Sequence, residues 1–359
     1  MDSYNQSKTS LDNKLKEDVK QVAKMLQVEL EVRESVQEYQ TDLHEKNYWN
    51  DRSWDDIVAS LKKFEYQFDD RILRRYHLSL MNGRMVILSG VSGTGKTLLT
   101  QLYAKAVDAD LLIVPVAPNW TENEDLIGYY SIIDNTYHDT EFSLFLRKAY
   151  NEYEIAKDEN RIPKPFHVVF DEMNLSKVEH YFSKFLSLLE LRSRNNEVRL
   201  IFHKGDEITI PTNIFFVGTV NVDESTEDFS DKVFDRSQLI ELTLNEENIK
   251  SYIDDFIFGD ILFEIWLIVR KAAPFAYRTI NEIVQYVNCH SIVNAEPKDL
   301  FDEQILQKIL PKFNGSHEAY GKVLNELVVL FNNHGLVLSL DKTQSMLKEY
   351  DDYGITSYF

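Results

Sequence analysis

Eight residues, Gly90-Val91-Ser92-Gly93-Thr94-Gly95-Lys96-Thr97, fit the pattern G-x-x-x-x-G-K-[ST]. Each type has a task there. Glycines let successive backbone N–H groups turn inward around phosphate oxygens, and a following helix adds the positive end of its dipole. Lys96 is placed to reach β- and γ-phosphates and the Thr97 hydroxyl to hold Mg²⁺. The bland alternative is a glycine-rich structural turn. Further along, Phe166-His167-Val168-Val169-Phe170 ends in two acids, Asp171-Glu172. Transfer of a phosphoryl group to water needs a metal ligand and a carboxylate that orients the attacking water. Asp171 suits the first role and Glu172 the second, against the alternative of a merely solvated strand end.

Three more polar residues stand where they can complete such a site. Asn221 closes a run at 214–220 and can meet the γ-phosphate or the water, unless it only starts a turn. Arg236 ends the short helical stretch from Asp231 and precedes a further strand. An arginine there can neutralise charge on a neighbouring subunit's nucleotide, or else pair with Asp231 or Asp235. Arg278 opens a helix after Pro274 and can reach the γ-phosphate, or point into solvent.

These residues need a scaffold that gathers strand ends. Met85-Val86-Ile87-Leu88, Leu111 to Val116, Phe166 to Phe170, Ile214 to Gly218 and Leu239 to Leu242 are apolar runs separated by helical stretches. They predict a parallel sheet covered on both faces by helices. Leu98, Leu99, Leu102, Tyr103 and Ala106 follow the phosphate loop at helical spacing. Residues 246–359 hold no such strand series, and helical patterns at 259–272, 278–293, 298–311 and 318–332 predict a smaller helical lid domain. Residues 1–65 read as an N-terminal helical extension, with Leu15, Val19, Val22, Leu26 and Leu30 near helical spacing. Ser53 is placed to cap a helix bearing Ile57, Leu61 and Phe64. The domains expected are therefore 1–65, 66–245 and 246–359. Within the middle one, Val198, Leu200, Phe202 and Ile208, Ile210 alternate about a Lys204-Gly205-Asp206 turn and suit a two-stranded ribbon at 196–211; a further hairpin at 127–140 is implied only by the family resemblance given below.

Composition narrows the class. An apolar share of 43% over 359 residues excludes wholesale disorder. The net charge of −20 argues against a broad non-specific grip on nucleic acid, although a local basic strip stays open. Cys289 is the single cysteine, so no intrachain disulfide forms, and a small buried hydrophobe is its simplest reading. No uncharged stretch reaches membrane-spanning length and no apolar leader is present, so the expectation is a cytoplasmic protein without a membrane partner.

The order of the phosphate loop, Asp171-Glu172, Asn221, Arg236 and Arg278 resembles the Walker A, Walker B, sensor 1, arginine finger and sensor 2 of AAA+ ATPases. Finer segments resemble the McrB-like branch of the dynein-related and MoxR-type AAA+ proteins. They are Trp120 to Tyr130, Asp171-Glu172-Met173-Asn174-Leu175, Gly218 to Glu224 and the closing Gly354-Ile355-Thr356-Ser357-Tyr358-Phe359. The resemblance implies a Mg²⁺-dependent nucleoside triphosphatase in a homo-oligomeric, hexameric ring, with nucleotide between the α/β domain and the lid. It also implies a McrC-like nuclease partner in restriction and antiviral defence, with DNA met only indirectly. McrB has a Met-Asn-Thr-Ala-Asp-Arg segment associated with GTP where this chain has Val220-Asn221-Val222-Asp223-Glu224-Ser225, so ATP and GTP both stay open. A MoxR-like remodelling chaperone acting on a protein is the alternative. A nucleotide-locked, non-hydrolysing module is the third reading, against which Glu172 and Asn221 speak.

Overall fold

Strands β1 (Met85–Gly90), β2 (Asp110–Pro115), β3 (Gly128–Ser131), β4 (Thr136–Asp139), β5 (Phe166–Asp171), β6 (Arg199–His203), β7 (Asp206–Thr209), β8 (Ile214–Asn221) and β9 (Ser237–Glu241) form three sheets. A computed structural model describes residues 52–63, 68–192, 198–203, 206–222 and 227–358. The first and largest sheet runs β2-β5-β8-β1-β9, all parallel. Parallel strands with helical crossovers are covered on both sides, which is why these runs are apolar at nearly every position. All six residues of β1 and all eight of β8 are buried.

Alternation along each strand divides the core in two. Met85 and Ile87 face one side, with Phe166, Val168, Phe170 and Phe216. They pack there against Phe142 and Leu146 of one helix (Glu141–Asp158) and Phe182 and Phe185 at the start of another (Ser183–Arg192). Val86, Leu88, Val169, Val217 and Ile240 face the other side. Three helices cover that face: α1 (Trp54–Leu61), α2 (Asp70–Met81) and α3 (Lys96–Ala106). Ser53 caps α1 as expected, and Ile57 and Leu61 pack on this core. The described part of the expected N-terminal extension thus lies against the core of the parallel sheet. The pattern from Leu15 to Leu30 and Phe64 lie outside the described residues.

Both expected hairpins are present. β3 and β4 pair antiparallel, as do β6 and β7, with a register irregularity between Ile201 and His203. The expected turn residues Lys204 and Gly205 lie outside the described residues. The hairpins lean on one another: Tyr130 stacks on His203 with centroids 3.8 Å apart, and Tyr137 meets Phe202 edge-on at 5.7 Å. Arg147 ties the pair to the helix that covers them. Its guanidinium donates twice to Asp206 (2.8 and 2.7 Å) and once to Asp139 (3.2 Å), and lies 4.1 Å over the Phe202 ring.

Residues from 246 onward form a third, all-helical core around Leu262, Trp266, Ile280, Phe301, Leu324 and Phe331. Three details differ from the sequence expectation. The pattern at 298–311 is a helix only over Pro297–Gln304; it then widens into a π turn (Ile305–Ile309) and a 3₁₀ turn (Leu310–Lys312). Pro311 has no N–H to continue the ladder. A long helix at Val337–Tyr353 was not among the expected patterns, because the side chains it buries include Ser339 and Thr343. Its first N–H groups are held by the buried Asp302 carboxylate, which accepts from Leu338 N (2.8 Å) and Ser339 N (2.9 Å). Cys289 is exposed rather than buried. It follows the helix Tyr277–Asn288, whose core stripe is Ile280, Ile283 and Val287, and falls off that stripe.

Candidate nucleotide site

The carboxyl ends of β1, β5 and β8 lie side by side, with Gly90 in register with Asn221 and Phe170 with Gly218. Adjacent strands are about 4.8 Å apart, so the residues that close each strand meet at one sheet edge. The phosphate loop leaves β1 there. A Cβ at Gly90 would stand 2.7 Å from the Leu242 carbonyl oxygen, and Gly93 and Gly95 have φ of +83° and +93°. These are left-handed conformations that a side chain would strain. The loop delivers its backbone N–H groups to the start of α3. Lys96 is buried, and its ammonium donates to the carbonyls of Gly90 and Val91, both at 2.9 Å. Thr94 closes the loop by donating to Val91 O at 2.9 Å.

The acids close β5, two strands along from β1, with β8 between them. Thr97 Oγ1 donates to Asp171 Oδ1 at 2.7 Å, and Thr219 Oγ1 donates to the same oxygen at 2.7 Å. Glu172 takes up a left-handed backbone conformation (φ +52°, ψ +47°), and its N–H donates to Thr219 Oγ1 at 3.0 Å. Asn221 Nδ2 donates to Glu172 Oε1 at 3.3 Å. Behind them, Gly218 makes room for the turn that follows Glu172, since a Cβ there would lie 2.3 Å from Met173 Sδ.

The helical region supplies the remaining wall. Arg278 N donates to Gly93 O at 3.4 Å, and Tyr277, Arg278 and Asn281 line the cleft opposite Lys96, Asp171 and Glu172. Tyr252 donates to Asn281 Oδ1 at 2.7 Å, which fixes that amide. The cleft encloses about 260 Å³. Its residues fit a magnesium–nucleoside triphosphate: a glycine cradle too tight for side chains, a buried cation, and a hydroxyl–carboxylate pair of hard oxygen donors. Mg²⁺, when bound, neutralises charge on the phosphates; Thr97 and Asp171 are the residues that would hold it.

Ten of the eleven residues singled out in the sequence converge here: Gly90, Gly93, Thr94, Gly95, Lys96, Thr97, Asp171, Glu172 and Asn221, with Arg278 joining from the helical side. Arg236 does not. It precedes β9, whose first residue Ser237 pairs with Met85 at the far end of β1 from Gly90. Six residue steps along a strand, at about 3.3 Å each, place it roughly 20 Å from the phosphate loop of its own chain. Its Nη1 donates to Lys232 O at 2.9 Å, so neither Asp231 nor Asp235 is its partner in that bond. Thr219, Tyr277 and Asn281 are the lining residues that sequence reasoning missed. Thr219 stands two before Asn221 on the same strand face, and Asn281 one helical turn after Arg278, so spacing alone carried a signal for both.

The segment from Trp120 to Tyr130 buttresses the acids. Ser176 donates to Trp120 O, the Trp120 ring meets Tyr181 edge-on at 5.3 Å, and Tyr181 donates to Met173 O at 3.0 Å. Of its acids, Asp125 accepts from Thr121 N and Glu122 N at 2.8 and 3.0 Å, while Glu122 and Glu124 are exposed.

Residues 85–237 match the AAA domain of the dynein-related subfamily. The chain carries an AAA+ ATPase domain. Its five-stranded parallel sheet, flanking helices and helical C-terminal region are those of the AAA+ α/β fold. Residues 236–356 match a domain of unknown function (DUF8727). Comparison with curated proteins gives no match. The matched residues include the Gly90–Thr97 loop and β5 with Asp171 and Glu172. No helix among the described residues is long and apolar enough to cross a membrane.

Proposed function

We propose that this chain is the Mg²⁺-dependent motor subunit of a homo-oligomeric, hexameric ring that hydrolyses ATP or GTP and drives a McrC-like nuclease partner in restriction and phage defence. The observation that carries the ring is the split between the two ends of the sheet. Lys96, Asp171, Glu172 and Asn221 gather at one end of β1 while Arg236 stands at the other. An arginine so placed serves a nucleotide held by the adjacent subunit, where it offsets charge that builds as the γ-phosphoryl group leaves. Within one subunit Glu172 orients the water, Asn221 holds Glu172, and Lys96 and Arg278 flank the phosphates.

The first hairpin supports a protein partner. Its tip exposes Ile132 and Ile133, 84% and 97% accessible, and no Lys or Arg occurs from 106 to 146. Such a tip favours a protein surface over a phosphate backbone, in keeping with a nuclease subunit that meets the DNA itself. The same tip suits a remodelling chaperone, so the presence of a PD-(D/E)XK nuclease in the neighbouring reading frame separates the two readings.

Glu172→Gln is expected to keep nucleotide affinity while turnover falls by about 10²–10⁴-fold; undiminished turnover would sink the assignment. Mixing Arg236→Ala subunits with Lys96→Ala subunits is expected to restore part of the activity that each lacks alone, and no recovery at any ratio counts against a shared site. Titration with labelled ATP and GTP analogues, with sizing in their presence, identifies the base and the assembly.

A further inference from the structure

We propose that Thr219 is a positioning residue for hydrolysis, its single hydroxyl setting both the Asp171 carboxylate and the Glu172 peptide. The inference rests on the site reading above. Thr219 is 1% exposed, in the middle strand of the sheet. A valine there would fill the same volume and suit a strand equally well, so the fold alone does not call for the oxygen. A buried hydroxyl is unfavourable unless bonded, and this one is bonded on both sides. It accepts from Glu172 N at 3.0 Å and donates to Asp171 Oδ1 at 2.7 Å.

The direction of these bonds is dictated. A backbone N–H can only donate and an ionised carboxylate can only accept, so the hydroxyl proton points to Asp171 and its lone pair to Glu172. Two consequences follow. Asp171 Oδ1 receives hydroxyls from α3 and β8 at once, which fixes the plane of the carboxylate and turns Oδ2 away from both donors. Glu172 meanwhile holds a left-handed conformation that a non-glycine residue keeps only when its surroundings over-determine it. The Thr219 oxygen is one such restraint, and the bond from Leu175 N to Glu172 O (2.9 Å) is another. That backbone conformation carries the Glu172 side chain to Asn221. The metal-holding acid and the water-orienting acid are therefore set by one hydroxyl through one N–H···O–H···O chain.

The test compares Thr219→Val, Thr219→Ser and Thr219→Val combined with Glu172→Gln. Steady-state turnover, fluorescent-nucleotide binding with and without Mg²⁺, and melting temperature are read for each. Thr219→Val is expected to lower kcat by about tenfold or more and to raise the Mg²⁺ needed for half-maximal turnover. Metal-free nucleotide affinity should stay within about threefold, because the phosphate loop is untouched. Thr219→Ser keeps the hydroxyl and is expected within about threefold of the parent in kcat. In the double variant at saturating Mg²⁺, where the Asp171 effect is masked, Thr219→Val should add little to the loss from Glu172→Gln, since the remaining effect acts through Glu172. A parental kcat in Thr219→Val, a serine variant as impaired as valine, or full additivity overturns the proposal. Should the valine variant fail to fold, the serine variant decides, and a loss beyond about tenfold there refutes it. Undiminished turnover in Glu172→Gln would overturn the site reading itself, whereas a dead Glu172→Gln beside a normal Thr219→Val overturns only the role of Thr219.

Discussion

Replacing His167 with leucine removes a proton acceptor that only the unfolded chain can use. His167 lies in β5, four residues before Asp171, fully buried with the Tyr103 and Phe215 rings 5.9 and 5.3 Å away. Burial pushes its imidazole down to about 3, because the charged form loses its hydration. In the unfolded chain it titrates near about 6.5. Below that value the unfolded state takes up a proton and the folded state does not. Stability is thus complete above about pH 6.5 and is lost as the pH falls towards 3. At about 1.4 kcal/mol per pH unit, the loss between pH 7 and pH 5 is about 2 kcal/mol from this one group. His77, on α2 against Tyr103, is pushed down to about 4 by burial and drains stability over an overlapping window. Only a His167 variant isolates the first contribution. Leucine has nearly the same volume and no proton to accept. Thermal melts near pH 7 and pH 5 should show the acid-induced drop in midpoint shrinking by about 4 °C in His167→Leu, taking about 2 °C per kcal/mol for a chain of this size. An equal drop in parent and variant refutes the reasoning.

Three further perturbations test other parts of the fold. Gly93→Ala places a Cβ 2.8 Å from Arg278 Cβ at a φ of +83°. The strain, about 1–2 kcal/mol, should weaken nucleotide affinity by about tenfold in an equilibrium titration, and parental affinity would contradict it. Asp302→Ala strips two backbone donors of their acceptor at the start of helix Val337–Tyr353. Amide exchange there should speed up by an amount equivalent to about 1–2 kcal/mol, and unchanged protection would show that the cap is not needed. Arg147→Met keeps an unbranched side chain but removes the guanidinium, and with it the contact over Phe202 and the bonds to Asp206 and Asp139. Exchange across β6 and β7 should then rise by the equivalent of about 1–3 kcal/mol, with β1 and β8 unaffected.

The parts of this molecule that were plain in the sequence are those whose chemistry is contiguous. Gly90 to Thr97 and Phe166 to Glu172 each place a strand and its functional end in one short run, so neighbouring letters describe neighbouring atoms. The second hairpin was legible because Val198, Leu200 and Phe202 alternate as a strand does, whereas the first, at 127–140, came only from the family resemblance. Thr219 was not, since a threonine inside a strand is what propensity alone would choose. Its meaning arises only when β5 comes to lie beside β8. The helix at Val337–Tyr353 was hidden for a related reason: Ser339 and Thr343 bury hydroxyls bonded to Asp302 O and Ser339 O, and no apolar stripe announces them. Arg236 shows the reverse case. Its position in the chain order was recognisable, but only the register of β9 against β1 shows that it faces away from its own phosphate loop.

The bond from Arg278 N to Gly93 O joins the helical region directly to the phosphate loop. Binding free energies at two joined sites obey reciprocity: whatever factor one ligand imposes on the other is returned unchanged. A nucleotide that stiffens the loop therefore biases the orientation of the helices from Tyr277 onward. A partner that grips those helices and favours one orientation tightens or loosens the nucleotide by the same factor that the nucleotide imposes on it. The loop thus serves as a thermodynamic gauge of what holds the helical region, and a nucleotide titration with and without a candidate partner reads that gauge without any turnover.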